Sequence, residues 1–259
     1  VMMPDGPAVH AVFVGIERAG CVAVGIGARA GDREVAHLLS LTGARTLVTA
    51  PAQHGRDAAA LRADVTAIGV TIDRHVLVGL DARVVDPDLA PGTEIDPDQP
   101  LRPIHPDDLF LLNSTSGTTG LPKCVMHTQN RWFYFHRLAV EAGGFGEDEV
   151  FFGALPAPFG FGLWTAHFTP TALGAPTVVM DRFDADEALD LIERERVTVL
   201  CCVSTQFIML LNAQADRPRD LSSLRSMFTG GEAVPFERAA EFESATGAKV
   251  LQFYGSNET

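Results

Sequence analysis

The fold is decided by the stretch Asn113-Ser114-Thr115-Ser116-Gly117-Thr118-Thr119-Gly120-Leu121-Pro122-Lys123. An apolar run at 109–112 precedes it and predicts a buried strand, and a segment with helical spacing follows from Asn130. The glycines of the stretch permit unusual backbone dihedrals, so that N–H groups can approach an anion closely. Its hydroxyl groups are rotatable donors, and Lys123 adds a full positive charge. The stretch therefore predicts a loop that holds a polyphosphate.

The spacing within this loop differs from that of the P-loop in NTPases, whose glycines lie further apart and whose second glycine directly precedes lysine. Here two residues separate Gly117 from Gly120, Pro122 precedes the lysine, and Cys124 follows it. A solvated loop of serine, threonine and glycine is the alternative interpretation, since such residues are common in surface turns. The combination of strand, hydroxyls, glycines and lysine favours the phosphate loop.

Composition and charge exclude several functional classes. The net charge of −13 and the pI near 4.9 argue against non-specific nucleic-acid binding, which needs a basic face. No stretch approaches the ~18 uninterrupted apolar residues of a membrane span, and no basic region leads into a signal-peptide core. The four cysteines show neither paired metal-ligand spacing nor a disulfide framework. We therefore expect a protein of the reducing cytoplasm.

Apolar strands alternate with helical segments along the chain, which predicts an α/β fold with mostly parallel sheets. The continuous apolar run 197–203 is typical of a strand that is buried on both faces. One helix is predicted from the cap residue Asp32 through Leu41, and another over residues 160–173. The segment 81–108, rich in proline and aspartate, predicts an extended connector that leads to the phosphate loop.

Three motifs carry a resemblance to a known family. Residues 116–123 resemble the signature of the adenylate-forming enzymes, which include acyl- and aryl-CoA synthetases, luciferases and the adenylation domains of peptide synthetases. The last six residues, Tyr254-Gly255-Ser256-Asn257-Glu258-Thr259, resemble the family's Tyr-Gly-x-Thr-Glu motif. Residues 229–235 resemble the Gly-Gly segment that lines the adenine pocket. The motifs occur in the family's order and the resemblance covers essentially the whole chain.

The resemblance implies part of a large N-terminal domain, built as two layered α/β lobes with mostly parallel sheets. We expect the first lobe, with the phosphate-binding loop, to span residues 1–147. The second lobe, with the adenine- and acid-binding motifs, is expected to span residues 148–259. The family's ribose-binding aspartate and small C-terminal domain, with its catalytic lysine, have no counterpart here. We therefore expect that this stretch alone binds ATP weakly at best and is inactive.

The implied reaction joins a carboxylic acid to ATP, giving an acyl-adenylate and pyrophosphate, and then forms a thioester with coenzyme A. The loop would bind the β- and γ-phosphates, with Lys123 and Glu258 as the catalytic residues and Glu258 as the ligand of Mg²⁺. Asn257 replaces the family's threonine, but its amide can still donate a hydrogen bond. The residues implied to bind the nucleotide are Thr115, Ser116, Gly117, Thr118, Thr119, Gly120, Gly230, Gly231, Glu232, Tyr254, Gly255 and Asn257.

The side chains proposed for the acid pocket are all apolar or aromatic: Phe159, Phe161, Trp164 and Phe207. They indicate an acid with an uncharged aliphatic or aromatic tail. Phe159 takes the place where the family often has a histidine gate, so that position cannot titrate. Peptide-synthetase domains place an aspartate after this phenylalanine to pair with an amino group. Gly160 stands there in this chain, which disfavours an amino-acid substrate.

The sequence leaves several alternatives open for the function and for single residues. A nucleotide-binding module without turnover belongs to a different functional class, and an acyl-AMP ligase could serve a carrier protein instead of coenzyme A. A homo-oligomer is also possible. Taken one at a time, Tyr254 and Phe159 can be read as packed core residues, and Glu258 as a surface glutamate at a strand end.

Overall fold

The structure is a computed structural model that describes residues 1–85, 104–115 and 120–258. It divides into two compact units, Val1–Asn130 and Arg131–Thr259. Each unit combines parallel strands with helices, which confirms the predicted α/β class.

The first unit is built on short parallel strands. Its elements are α1 (Pro7–Arg18), β1 (Ala23–Gly25), α2 (Asp32–Thr42), β2 (Thr46–Thr49), β3 (Ala52–Gln53), β4 (Arg56–Asp57), α3 (Ala58–Ala67), β5 (Arg74–Leu77), β6 (Leu109–Ser114) and β7 (Cys124–Thr128). Strand β1 pairs in parallel with β6, β6 pairs in antiparallel with β7, and β2 pairs in parallel with β5. The Val1 carbonyl accepts from the Ile26 N–H and the Met2 N–H donates to the Val48 carbonyl, both at 2.9 Å, so this segment joins β1 to β2.

The helices of this unit cover the sheet through their apolar faces. Leu38 of α2 and Val65 of α3 are completely buried against Leu47 of β2. The prediction that Asp32 caps α2 was wrong: Gly31 is the extended residue before the helix, and Asp32 is its first helical residue. The Asp32 carboxylate instead accepts from the Arg56 guanidinium at 2.5 Å, an ion pair that no local sequence pattern indicates.

The second unit is organised by one parallel sheet. Its elements are α4 (Gln129–Gly143), β8 (Phe151–Gly153), α5 (Gly160–Leu163), a π-helical turn (Trp164–Phe168), α6 (Thr169–Leu173), β9 (Thr177–Val179), α7 (Ala185–Glu195), β10 (Val199–Cys201), α8 (Ser204–Asp216), β11 (Ser226–Gly230), α9 (Phe236–Thr246) and β12 (Lys249–Phe253). The strand order is β12-β11-β10-β8-β9, and every pairing is parallel. Consecutive strands are joined through helices, as parallel pairing requires.

Alternate residues of this sheet enter two different cores, because side chains along a strand point to opposite faces. Met227 of β11 packs with α7, α8 and α9 on one face. Its neighbour Phe228 packs on the other face with α4 and the segment 160–173. Helix α4 belongs to this unit because Trp132 is buried and packs edge to face on Phe168, with ring centroids 5.2 Å apart. The units thus divide at 130/131, and the lobe boundary at 147/148 stays a prediction.

The segment 160–173 is helical over its whole length, as predicted, but Trp164–Phe168 form a π-helical turn between two short α-helical pieces. Pro170 has no N–H, so it cannot donate to the residue four positions earlier as an α-helix requires. The Thr169 N–H instead donates to the carbonyl of Trp164, five residues back, which is the π-helical pattern. The first turn also approaches the preceding chain closely, since a Cβ on Gly162 would lie 2.3 Å from the Pro156 carbonyl oxygen.

His167, in the π-helical turn, predicts a pH-dependent stability. Burial lowers its pKa from 6.5 to about 4. The unfolded state then binds more protons between these two values, so stability falls as the pH drops from about 7 to about 4. The slope from one group is at most about 1.4 kcal/mol per pH unit. Urea unfolding at several pH values should show a flatter profile for His167→Phe, whereas exposed His105→Gln should match wild type; equal slopes in all three proteins would contradict this.

Within the described residues, none of the helices has the length and apolar character needed to pass through a membrane. The first unit does contain a cavity of about 320 Å³. It lies between the residues after β1 and β2 and the start of α3, and is lined among others by Arg29, Thr49 and Gln53. Among the residues that the structure describes, none of the site residues predicted from the sequence lines this cavity.

Candidate functional site

The two ends of the predicted phosphate loop are fixed to each other. The Thr115 N–H donates to the Lys123 carbonyl at 2.9 Å, and the Lys123 N–H donates to Thr115 Oγ1 at 3.1 Å. Just before this pair, the buried Ser114 hydroxyl donates to the Gly25 carbonyl at 2.9 Å, which ties β6 to the end of β1. The loop is therefore closed at its base on a rigid strand. Ser116, Gly117, Thr118 and Thr119 lie outside the described residues.

The segment 120–123, which ends at the lysine, is held by a second contact. His37 Nε2, on α2, lies 2.9 Å from the Pro122 carbonyl oxygen; because a carbonyl only accepts, this nitrogen is the donor. Gly120 has φ of 148°, which favours glycine, and open space surrounds the position of a Cβ there. Pro122 is buried, whereas Lys123 is exposed. The backbone of the segment 120–123 is thus held in place, while the Lys123 side chain stays accessible.

Replacing His37 tests whether its contact with the segment 120–123 contributes to ATP binding. We expect His37→Phe to raise the KM for ATP of the full-length protein about three- to tenfold, the range for loss of one hydrogen bond. The KM for the acid should not change, since the contact lies on the phosphate loop. His37→Gln supplies an amide N–H and should behave close to wild type. An unchanged KM for ATP in His37→Phe would show that the contact does not matter for binding.

In the second unit, Gly230 ends β11 opposite Phe253 of β12. A Cβ at this position would lie 2.5 Å from Phe253 Cε1 and 2.6 Å from the Phe253 carbonyl oxygen, so only glycine fits. Gly231 follows with φ of 81°, another conformation that favours glycine. Glu232 Oε1 accepts from the Thr205 N–H at 3.4 Å, at the first turn of α8. The predicted Gly-Gly segment is therefore a tight turn held between β12 and α8.

The motif near residue 258 follows directly after β12. The Tyr254 side chain is fully exposed, so the alternative that it is a packed core residue was wrong. The carbonyls of Asn257 and Glu258 both accept from the Arg131 guanidinium on α4. The Glu258 N–H donates to Ser256 Oγ at 3.2 Å. Backbone contacts thus hold the turn, and the Glu258 side chain is exposed.

The structure brings together only some of the residues predicted for the acid pocket. Phe161 and Trp164 both contact Phe253, with ring centroids 4.7 and 6.0 Å apart. Phe159, at the start of α5, is 40% exposed and is not a core residue. Phe207 is completely buried against Phe242 of α9, in the core on the other face of the sheet. The structure therefore brings Phe161 and Trp164 together around Phe253 and does not place Phe207 with them.

The sequence analysis missed Phe253 because the residue was interpreted only as the end of a buried strand. Its position directly before Tyr254 was the available signal, since Phe253 ends β12 and parallel sheets bind ligands at the carboxyl ends of their strands. Arg131 was missed as well, because the contact to the last motif spans 127 residues of sequence.

A family profile described as AMP-binding enzyme matches residues 1–259. The chain belongs to the AMP-binding enzyme family. The solved structure of the amide bond synthetase McbA from Marinactinospora thermotolerans shares its architecture: the TM-score is 0.82 at 27% identity, over all of this chain and 50% of that one. The resemblance to adenylate-forming enzymes, stated from three motifs, is thereby confirmed.

Two curated relatives within the AMP-binding family align over most of the chain. A 2-hydroxy-7-methoxy-5-methyl-1-naphthoate–CoA ligase of Streptomyces carzinostaticus is 32% identical over 87% of this chain and 42% of its own length. A feruloyl-CoA synthase of Amycolatopsis sp. is 30% identical over 98% of this chain and 48% of its own length. This AMP-binding chain therefore spans less than half the length of these relatives.

The described residues fit the ligands that the AMP-binding family implies. An exposed lysine beside a closed loop suits phosphate, and the exposed Tyr254 ring is available to stack on a base. The described part of the chain contains no group of three or more histidine, cysteine, aspartate or glutamate side chains that could hold a metal alone. Mg²⁺ often binds through one or two carboxylates together with substrate phosphates, and the single exposed Glu258 matches that pattern.

Proposed function

We propose that this chain supplies the ATP- and acid-binding part of an acid–thiol ligase, which activates a carboxylic acid with an uncharged tail as an acyl-adenylate and passes it to coenzyme A. The observation that carries the proposal is the loop base at Thr115 and Lys123. It leaves one accessible cation at the end of a phosphate-type loop, in a chain whose net charge is −13. The family match and the CoA ligases among the relatives support the same reaction class.

In the proposed mechanism, the residues of this chain bind and orient the reactants. Lys123 and the loop N–H groups neutralise phosphate charge, so that a carboxylate can approach the α-phosphorus of ATP. Tyr254 stacks on adenine, and the Gly230-Gly231 turn frames it. Glu258, whose backbone Arg131 holds, contributes the carboxylate for Mg²⁺. That carboxylate would hold the ion, which would supply positive charge to offset the negative charge of the phosphates.

The acid is proposed to lie against aromatic side chains. Phe159, Phe161 and Trp164 supply an apolar wall without a charged group, which matches an uncharged tail and rejects an amino acid. The two relatives aligned over most of the chain are named for aromatic acids, a naphthoate and ferulate, which favours an aryl acid here.

The experiment is an acid-dependent exchange of labelled pyrophosphate into ATP, carried out with the full-length protein and a panel of aliphatic and aromatic acids. We expect exchange with at least one uncharged acid, followed by thioester formation when coenzyme A is added. Calorimetry with ATP separates the alternative: binding of ATP without exchange for any acid would contradict the ligase and favour a non-catalytic module. Exchange without a CoA thioester would replace coenzyme A by a carrier protein.

A further inference from the structure

The side chain of Gln206, in the first turn of α8, bonds to the backbone at two places. Its Oε1 accepts from the Val203 N–H at 3.0 Å, and its Nε2 donates to the Ala154 carbonyl at 2.6 Å. These partners fix the orientation of the amide, because an N–H must face its oxygen and a carbonyl must face its nitrogen. Val203 comes just after β10 and Ala154 directly after β8, so one amide joins the carboxyl ends of two neighbouring parallel strands.

Ala154 begins the segment 154–159, which leads to the residues proposed for the acid. A Cβ on Gly162 of α5 would lie 2.3 Å from the Pro156 carbonyl oxygen. The segment therefore packs directly on the first turn of α5, which carries Phe161. A shift of the Ala154 carbonyl would thus move the backbone that supports the acid-site aromatic residues.

The first turn of α8 also contacts the residues that follow the Gly-Gly turn. The Thr205 N–H donates to Glu232 Oε1 at 3.4 Å, and the Ser204 hydroxyl donates to the Ala233 carbonyl at 3.3 Å. This helical turn therefore lies between two parts of the site: Gln206 bonds to the segment proposed for the acid, and its two predecessors bond beside the turn proposed for adenine. Parallel α/β sheets bind their ligands at this carboxyl edge.

We propose that Gln206 is a positioning residue for acyl-adenylate formation, and that its bond to Ala154 fixes the segment 154–159 relative to the Gly-Gly turn. The inference rests on the proposed function, which assigns the acid to aromatic residues within 159–164 and adenine to the Gly230-Gly231 turn. Attack on the α-phosphorus requires the two reactants to be aligned, and a misplacement of about 1 Å can lower the rate about 100-fold. Without this bond both reactants still bind, but they are no longer held in line.

Two substitutions in the full-length protein separate the two bonds of this amide. Gln206→Glu keeps an oxygen that accepts from Val203, but its ionised carboxylate cannot donate to Ala154, whereas Gln206→Met loses both bonds. We expect each variant to lower kcat for pyrophosphate exchange about 10- to 100-fold, measured with an acid that wild type accepts. The KM for ATP should stay within about threefold of wild type, because neither change touches the phosphate loop.

Gln214, near the other end of α8, provides the matched control. Its Oε1 accepts from the Arg219 N–H at 3.0 Å and its Nε2 donates to the Arg219 carbonyl at 2.8 Å, so it makes the same two kinds of bond away from the site. Gln214→Glu and Gln214→Met should lower the melting temperature and leave kcat within about twofold of wild type.

A purely structural role for Gln206 would make its variants behave like those of Gln214, with a lower melting temperature and an unchanged kcat. A wild-type kcat in Gln206→Glu would therefore overturn the assignment, and that variant alone decides should Gln206→Met fail to fold. Absence of exchange with every acid in wild type would instead overturn the proposed function, and this assignment with it.

Discussion

Replacing Lys123 by alanine is expected to lower the rate of acyl-adenylate formation by the full-length protein about 10²–10³-fold, the range for removing one preorganised donor from developing charge. The lysine is exposed, but its backbone is fixed at both the N–H and the carbonyl by Thr115. The backbone that carries its charge is therefore held in place. Pyrophosphate exchange with saturating acid measures the effect, and circular dichroism should show an unchanged fold.

The chain offers a matched control for this substitution in its other lysine, Lys249. Lys249→Ala makes the same change in net charge but lies at the first residue of β12, and it should exchange pyrophosphate at the wild-type rate. Lys123→Arg keeps the charge and should recover part of the activity. If Lys123→Ala and Lys249→Ala were equally active, the loop would have no catalytic role.

Replacing Arg219 by methionine is expected to lower the free energy of unfolding by about 2–3 kcal/mol, near the lower end for loss of one partner of a buried ion pair. Only 3% of the Arg219 side chain is exposed. It donates to the carboxylates of Asp186 and Asp190 on α7, and to the carbonyls of Ala213 and Arg217 at 3.2 and 2.5 Å. Methionine fills the volume but leaves these carbonyls without this donor. The carboxylates are partly exposed and recover water, which limits the loss.

Urea unfolding followed by circular dichroism measures this change, with Arg196→Met as the control. Arg196 pairs with Asp220 at 2.8 Å, but 55% of its side chain is exposed, so solvent screens the pair and little stability should be lost. Equal unfolding midpoints for the two variants would show that the hydrogen bonds of Arg219 contribute no more stability than the exposed pair of Arg196.

The strand and helix order was predictable because the periods of apolar residues are local properties of the sequence. Strand β10, with its continuous apolar run, and α7, which begins after the capping residue Asp184, lie where the pattern places them. Strand β7 was not predicted. The stretch Cys124–Thr128 is short and contains both apolar and polar residues, and only its pairing with β6 makes it a strand. Such non-local pairing has no signature within a window of sequence.

The same distinction applies to the candidate site. Three of the glycines that the motifs singled out have a conformation or a close contact that favours glycine, namely Gly120, Gly230 and Gly231. The acid-pocket residues were less predictable, because the sequence indicates that Phe207 is apolar but not which face of the sheet it packs against. Phe253 and Arg131 required the structure, since their partners Gly230 and Glu258 are distant in the sequence.

The pairing of β6 with β7 has an electrostatic consequence for the first unit. In P-loop proteins the phosphate-binding turn opens directly into a helix, whose partial positive charge at the N-terminus helps to hold the anion. Here the turn returns as an antiparallel strand, and strands carry only small net dipoles. Attraction for a triphosphate would then depend on the Lys123 ammonium, the loop's donors and a bound cation rather than on a helix terminus, and it should weaken as ionic strength rises because salt screens exposed charges.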